Sequence, residues 1–160
     1  MPMRASRRGH NPKKSETKMK LKQIVMICVA VAAASLSFGQ SATLVADKPS
    51  AAAGSEFTLT ASAYYPGVPS ALGWSVTLPE GWTYVSTGGA NPPSVGPQNG
   101  ATGTLEWAYT DVPAGSVQFS FTVRATGKAG IVQLRAQALL RADGKQQAVD
   151  AAPVSVSIAP

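Results

Sequence analysis

Apolar and polar residues alternate along most of the chain after residue 39, in short runs separated by turn residues. In the clearest run, 117–124, Val117, Phe119, Phe121 and Val123 fall on one side and polar residues on the other. A period of two residues is typical of a β-strand with one buried face. The same pattern recurs, with Gly, Pro, Asp and Ser between the runs, at 42–47, 56–64, 71–78, 82–86, 103–109, 131–141 and 153–158.

Eight or nine strands of this kind each have one apolar face to bury. Two sheets packed face to face bury both apolar faces at once. The sequence therefore predicts an all-β fold, an antiparallel two-sheet β-sandwich, over the single domain 40–160. A helix is the alternative for 132–140, but flanking glycines and the Asp143-Gly144 pair, a strong signal for a tight hairpin, favour a strand there. Residues 86–102, rich in Gly and Pro, form the one long irregular stretch.

The first 39 residues have a different organisation. Basic residues precede an apolar run at 23–34, and small residues follow it up to Gly39. This order is typical of a secretory signal peptide, with a signal-peptide helix and cleavage between Gly39 and Gln40. Met19 could be the true start of that leader. The run is shorter than the roughly 20 residues of a membrane span. No second hydrophobic segment follows it, so the mature chain is expected to carry no visible anchor and to be secreted, extracellular or at the cell surface, with the periplasm as a further option.

The formal net charge of +6 comes from this leader, which has eight basic residues and one acidic residue. Residues 40–160 contain six basic and seven acidic residues, a net charge of −1. A domain without a basic stripe has nothing to neutralise a phosphate backbone. A nucleic-acid partner is therefore not expected.

Few kinds of catalytic chemistry are open to the mature chain. Its only histidine and only cysteine, His10 and Cys28, fall in the leader, which excludes His- or Cys-based catalysis and zinc sites from residues 40–160. No cofactor or metal motif is present. A carboxylate pair of the glycosidase type is the remaining option, with Glu80, Glu106 and Asp111 as candidates. Because Glu106 is on a polar strand face and Glu80 is in a turn, we expect no catalytic residue and no enzyme activity.

Three aromatic residues allow two interpretations. Tyr64 is out of phase with the apolar positions of its run, and Trp82 and Tyr84 border the irregular stretch. They are tentative ligand-binding residues that could stack on sugar rings, or they could close one end of the core. The aromatic residues on apolar strand faces predict core packing, and these are Trp74, Trp107, Phe119 and Phe121.

The same strands carry a resemblance. Residues 53–59, 72–79 leading into 84–86, 103–109 and 117–123 resemble the corresponding parts of cohesin-like β-sandwiches of secreted bacterial proteins, a pattern shared with bacterial immunoglobulin-like stalk repeats. The resemblance implies the fold, and it implies an interaction role, because well-known cohesins bind dockerin modules through one sandwich face. This chain has Leu78-Pro79 where such domains often carry an Asp before the Pro, and no residue matches a dockerin-contact motif. The resemblance thus implies no site residues.

Two functions follow from these observations. The first is a secreted, non-enzymatic interaction or structural module whose partner is another secreted or surface protein, docked on a sheet face or an edge strand such as 153–158. The alternative is a carbohydrate-binding module for a polysaccharide.

Overall fold

The computed structural model describes residues 39–160. The predicted signal peptide lies outside the described residues except at its end, where Gly39 is exposed and the first strand begins at Ser41. The strands are β1 Ser41–Ala46, β2 Ser50–Ala52, β3 Glu56–Tyr64, β4 Ala71–Thr77, β5 Thr83–Gly88, β6 Thr104–Tyr109, β7 Ser116–Arg124, β8 Gly130–Ala142, β9 Lys145–Asp150 and β10 Val154–Ala159.

The strands form two facing sheets, as the alternation predicts. The four-stranded sheet has the order β1-β3-β7-β5, and the six-stranded sheet has the order β2-β10-β8-β4-β6, with β9 also paired to β8. β8 is long enough to pair with β4 along one edge and with β10 and β9, one after the other, along the opposite edge. Every pairing is antiparallel except the short one between β10 and β2. The predicted all-β sandwich is confirmed.

Two strands were not anticipated as separate elements. β2 occupies a segment that the sequence indicates as a turn, and β9 follows the predicted Asp143-Gly144 hairpin. Both turn residues have positive φ, 50° at Asp143 and 72° at Gly144, which is the geometry of a type I′ turn. Residues 132–140 belong to β8 and are not helical.

The expectation that the last strand is a free edge is wrong. β10 pairs with β8 on one side, and its final residues pair with β2 on the other. Its side chains Val156 and Ile158 are 0% and 3% exposed. Removing this strand would therefore expose the core rather than remove an independent docking site.

The core is aromatic at its centre. The predicted core residues Trp74, Trp107, Phe119 and Phe121 are all buried. Trp107 of the six-stranded sheet packs against two rings of the four-stranded sheet, with centroids 4.8 Å from Phe121 and 5.5 Å from Phe119. Trp74 meets Phe119 edge-on at 5.9 Å. These contacts join the sheets across the middle of the sandwich.

The irregular stretch, 89–103, joins the edge strands β5 and β6 and closes the gap between the sheets. Asn91 donates its backbone N–H to Gln118 of β7 at 2.9 Å, and its carbonyl accepts the Tyr109 hydroxyl at 2.7 Å. Farther along, Val95 and Ala108 exchange two backbone hydrogen bonds. The stretch is therefore fastened to both sheets and shields the edge of β6.

A pair of glycines tests this close packing. A Cβ at Gly89 (φ +100°) would lie 2.8 Å from the backbone nitrogen of Ser120, whereas a Cβ at Gly100 (φ +85°) would meet nothing within 4 Å. Both alanine substitutions suffer the cost of a positive φ, about 1–2 kcal/mol. We expect Gly89→Ala to lower the free energy of unfolding by a further ~1–3 kcal/mol, measured by urea denaturation. Equal losses in the two variants would contradict the close approach.

Two buried phenols give a second test. Tyr65 donates its hydroxyl to the carbonyl of Pro113 at 2.7 Å. Burial raises the pKa of Tyr65 above its ordinary value of 10.0, and burial together with the nearby Tyr65 raises the pKa of Tyr109. In both cases the unfolded chain loses its proton first as the pH rises.

The free energy of unfolding should therefore fall as the pH rises above about 10, the pKa of the unfolded phenol. We expect Tyr109→Phe to cost about 1 kcal/mol at pH 8, through the lost hydrogen bond to Asn91, but to reduce the steepness of the alkaline decline. Urea denaturation between pH 8 and 11 measures both effects. An unchanged alkaline slope would show that this phenol does not contribute to it.

Candidate functional site

The outer surface of the four-stranded sheet is the strongest candidate site. Along β3 and β7 every second side chain is apolar and buried in the core. The side chains between them point outward and are partly or fully exposed. The outward side chains of the central part of the sheet are uncharged and mostly carry hydroxyl groups. We call this surface the hydroxyl face, and it comprises Thr43, Val45, Thr58, Thr60, Ser62, Ser86, Gln118, Ser120 and Thr122.

Strand register aligns these side chains in rows. Thr60 of β3 lies opposite Ser120 of β7, and the next outward residue, Ser62, lies opposite Gln118. On its other side, β3 pairs with β1, which places Thr43 opposite Ser62. Neighbouring strands are roughly 4.8 Å apart, and successive outward residues on one strand are roughly 6.8 Å apart. The face is thus a regular two-dimensional array of hydrogen-bonding groups.

Most of the hydrogen-bonding capacity of this array points away from the protein. Within the described residues, the hydroxyl groups of Thr58 and Thr122 contact each other across the two neighbouring strands, at 3.4 Å. Each hydroxyl can donate one hydrogen bond and accept two. Gln118 is exposed, and its amide adds donors and an acceptor. A ligand on this face would meet donors and acceptors in every row.

The charged side chains lie toward one end of the sheet, where the exposed Asp47, which follows β1, accepts the backbone N–H of Thr58 at Oδ1 over 3.1 Å. There Arg124 donates from Nη2 to Oε1 of Glu56 at 2.6 Å, and both side chains are about half exposed. A pair this exposed contributes at most about 1 kcal/mol to stability and leaves no net charge. The outer surface of the six-stranded sheet differs, because it presents the exposed charged residues Glu106, Arg135, Arg141 and Asp150. The two outer surfaces of the sandwich are therefore chemically distinct.

The other end of β3 carries an exposed ring. Tyr64 is 57% exposed and lies between Ser41 of β1 and Ser116 of β7. It is the outward residue that follows Ser62, so the ring borders the hydroxyl face. The out-of-phase position of Tyr64 in the sequence correctly indicated a ring outside the core.

The structure places the other two tentative ligand-binding residues in the core. Trp82 is 2% exposed and packs edge-on against Phe57 with centroids 5.2 Å apart, and Tyr84 is 6% exposed. A ring stacks on a sugar only through an open face, so the expected platform of Tyr64, Trp82 and Tyr84 does not form. Trp82 and Tyr84 instead follow the second interpretation, in which they close the core.

A bulge in β5 supplies the buried Tyr84 with a hydrogen-bond partner. The register of β5 against β7 shifts between Tyr84 and Ser86, so Thr87 also points inward. The Thr87 hydroxyl accepts the indole N–H of Trp107 at 2.8 Å and is 2.7 Å from the hydroxyl of Tyr84. These three polar groups satisfy one another, which allows Tyr84 and Trp107 to be buried without the cost of unpaired donors.

The candidate carboxylates are dispersed. Glu80 follows β4 at the end of the sheet where β6 begins, and Asp111 follows β6 at the opposite end. The six residues of β6 between these ends extend for about 17 Å, beyond the roughly 5–9.5 Å that separates glycosidase carboxylates. Glu106 lies between them on the outer surface. The described residues contain no group of three or more His, Cys, Asp or Glu placed to hold a metal ion.

Glu80 also borders a cleft of about 530 Å³, together with Lys128 and Trp82. The near-complete burial of Trp82 leaves no open ring face there. Within residues 39–160, no helix combines the length and apolar character required to cross a lipid bilayer.

Sequence reasoning did not identify the hydroxyl face as a site. It recognised Thr58, Thr60 and Ser62 as the polar side of a strand but gave that side no role. The available signal was the kind of polar residue. Apart from the pair Glu56 and Arg124 at one end, no outward position of β3 or β7 is charged.

No protein-family model matches the chain, and no curated protein matches it. Solved structures resemble it with 10–15% sequence identity. The full-length major pilin SpaD from Corynebacterium diphtheriae has 15% identity and a TM-score of 0.58, over 72% of this chain and 34% of the pilin. A non-cellulosomal cohesin from Archaeoglobus fulgidus has 14% identity and a TM-score of 0.53, over 75% of this chain and 92% of the cohesin.

The C-terminal domain of the Streptococcus agalactiae AgI/II polypeptide BspA is also similar, with 14% identity and a TM-score of 0.54, over 74% of this chain and 49% of that one. The chain thus matches only about a third of the pilin and half of the BspA domain. At these identities the likeness concerns the fold. It confirms the resemblance to cohesin-like and immunoglobulin-like β-sandwiches.

The opposite placements of Trp82 and Tyr64 give a direct test. We expect Trp82→Ala to lower the free energy of unfolding by about 3–5 kcal/mol, because it removes a buried indole from the core. Tyr64→Ala, the matched change of an exposed ring, should alter it by less than about 0.5 kcal/mol. Urea denaturation of both variants checks this. A mild effect of Trp82→Ala would return that residue to the list of binding candidates.

Proposed function

We propose that the chain is an exported, non-enzymatic interaction or structural module, and that it contacts its partner through the hydroxyl face. The observation that carries the proposal is the uncharged, register-aligned array of hydroxyl and amide groups around Thr60 and Ser120. An outward-facing array of this kind adds no side chain to the core, so stability alone does not account for its composition. The partner is another exported or surface protein, or a polysaccharide.

Three further observations support this role. The leader pattern before Gln40 is typical of a signal for export from the cytoplasm. The fold is similar to that of a cohesin, a pilin and the BspA C-terminal domain, which makes an interaction role the natural first hypothesis. The carboxylates considered for hydrolysis are dispersed over the sandwich. Fold likeness by itself assigns no function, so the surface has to be tested.

The test uses one charge on each outer surface. Thr60→Lys places an ammonium group at the centre of the hydroxyl face. Ser75→Lys is the matched control, because Ser75 is likewise a partly buried hydroxyl residue at the centre of β4, between Glu106 and Gln137 on the other outer surface. Each change should alter stability by about 1 kcal/mol or less.

The domain 40–160, which contains the whole core, is immobilised and exposed to the secreted-protein and cell-envelope fractions of the source organism. We expect the same component to be retained by the wild type and by Ser75→Lys, with retention reduced at least about tenfold for Thr60→Lys, because a desolvated unpaired ammonium is unfavourable. Retention that survives Thr60→Lys, or that is lost equally in both variants, would contradict the assignment of this face.

A further inference from the structure

We propose that the ligand of the hydroxyl face is a neutral polysaccharide. This inference rests on the proposed function and names the chemical class of its partner. It is carried by the combination of three features on one surface: the absence of charge across its centre, the two-way hydrogen-bonding capacity of its rows, and the exposed ring of Tyr64 at its border.

The absence of charge limits the ligand. A charged polymer would gain from ion pairs along its length, and the central rows of this face offer none, because its charged groups, Asp47 and the pair Arg124–Glu56, lie toward one end. The charged side chains of the other outer surface, Glu106 and Arg135 among them, show that the fold accepts such residues on exposed strands. A neutral ligand is the electrostatic match to a neutral face.

The hydrogen-bonding groups of the face favour a ligand that both donates and accepts hydrogen bonds. Sugar hydroxyls both donate and accept, as do the hydroxyls of Thr60, Ser62 and Ser120, so either partner can adapt the direction of each bond. The rows recur at roughly constant spacing along β3 and β7, so a chain with repeated hydroxyl groups can occupy several rows at once.

The apolar groups of the face suit a sugar ring. Tyr64 is 57% exposed and Val45 is 59% exposed, so each offers an apolar surface beside the hydroxyl rows. A pyranose ring has an apolar face that can pack on the Tyr64 ring, while its hydroxyls reach Ser62 and its neighbours. This retains one aromatic contact of the expected carbohydrate site and replaces Trp82 and Tyr84 with the polar rows.

A protein partner fits less well. The energetic centres of protein interfaces are aromatic, Met or Arg side chains in desolvated pockets, and serine is depleted there. The centre of the hydroxyl face, around Thr60 and Ser120, has none of these anchors. Its one aromatic ring is at the border. These features favour a polysaccharide over a protein on this surface.

The test is co-sedimentation of the domain 40–160 with insoluble neutral polysaccharides, namely cellulose, chitin, mannan, starch granules and a β-1,3-glucan. We expect the domain to bind at least one of them. Tyr64→Ala should weaken this binding about tenfold, a change of about 1.4 kcal/mol, whereas Tyr64→Phe, which keeps the ring, should bind like the wild type. Thr60→Lys should weaken it at least as much, whereas the control Ser75→Lys should not. Retention should be nearly the same at 0.05 M and 0.5 M salt, because no ion pair forms.

Three results would overturn the inference. One is failure to bind any polysaccharide of the panel while Thr60→Lys still releases a protein in the immobilised-domain assay; the proposed function then stands and its ligand is a protein. Another is retention that Ser75→Lys abolishes and Thr60→Lys leaves unchanged, which would move the site to the six-stranded sheet. The third is retention that falls steeply with salt, which indicates a charged ligand. If neither assay detects a ligand, both proposals fail together.

Discussion

The packing of Trp107 between the two sheets is the interaction on which the rest of the sandwich depends. The described residues contain no cysteine, so noncovalent contacts hold the sheets together. The Trp107 ring, on β6, contacts Phe119, Phe121 and Tyr84 of the opposite sheet, and its indole N–H is satisfied by Thr87. The stretch that joins β5 to β6 lies directly on it, since a Cβ at Gly96 would be 2.7 Å from the indole Cδ1. One side chain thus connects both sheets and the segment that closes them.

This central packing leaves the outer surfaces free to differ. The inward positions of β3 and β7, such as Leu59 and Phe121, supply apolar burial, and the outward positions need only tolerate a strand. Thr and Ser meet that requirement, but so do the charged residues on the other sheet. Stability therefore explains why the core is aromatic and does not explain why one outer surface has hydroxyl groups and the other has charges. That difference is what points to a contact on the hydroxyl face.

The parts of the structure that depend on local pattern could be predicted from the sequence. Alternation is a local pattern, and it correctly predicted most strands and the burial of Trp74 and Phe119. The residue types that tolerate positive φ likewise predicted the hairpin at Asp143-Gly144. Strand order is not local. The parallel pairing of β2 with β10 joins residues about a hundred positions apart, and the alternation of residues along the chain does not predict which strands pair. The inward placement of Thr87, which contacts Tyr84 and Trp107, depends on a bulge, a shift of one residue that simple alternation cannot represent.

A neutral contact surface also determines how a ligand is found and held. Without charge there is little long-range electrostatic steering, so encounters are expected to be infrequent compared with those of charged partners. Hydrogen bonds exchanged with water contribute little each, so retention has to come from many rows acting together or from repeated rebinding. A long polymer of identical units satisfies both conditions, because any of several registers along it can meet the rows of Thr60 and Ser62. For a small domain whose single exposed ring is at the border of the face, a repetitive ligand offers a way to turn weak local contacts into stable attachment.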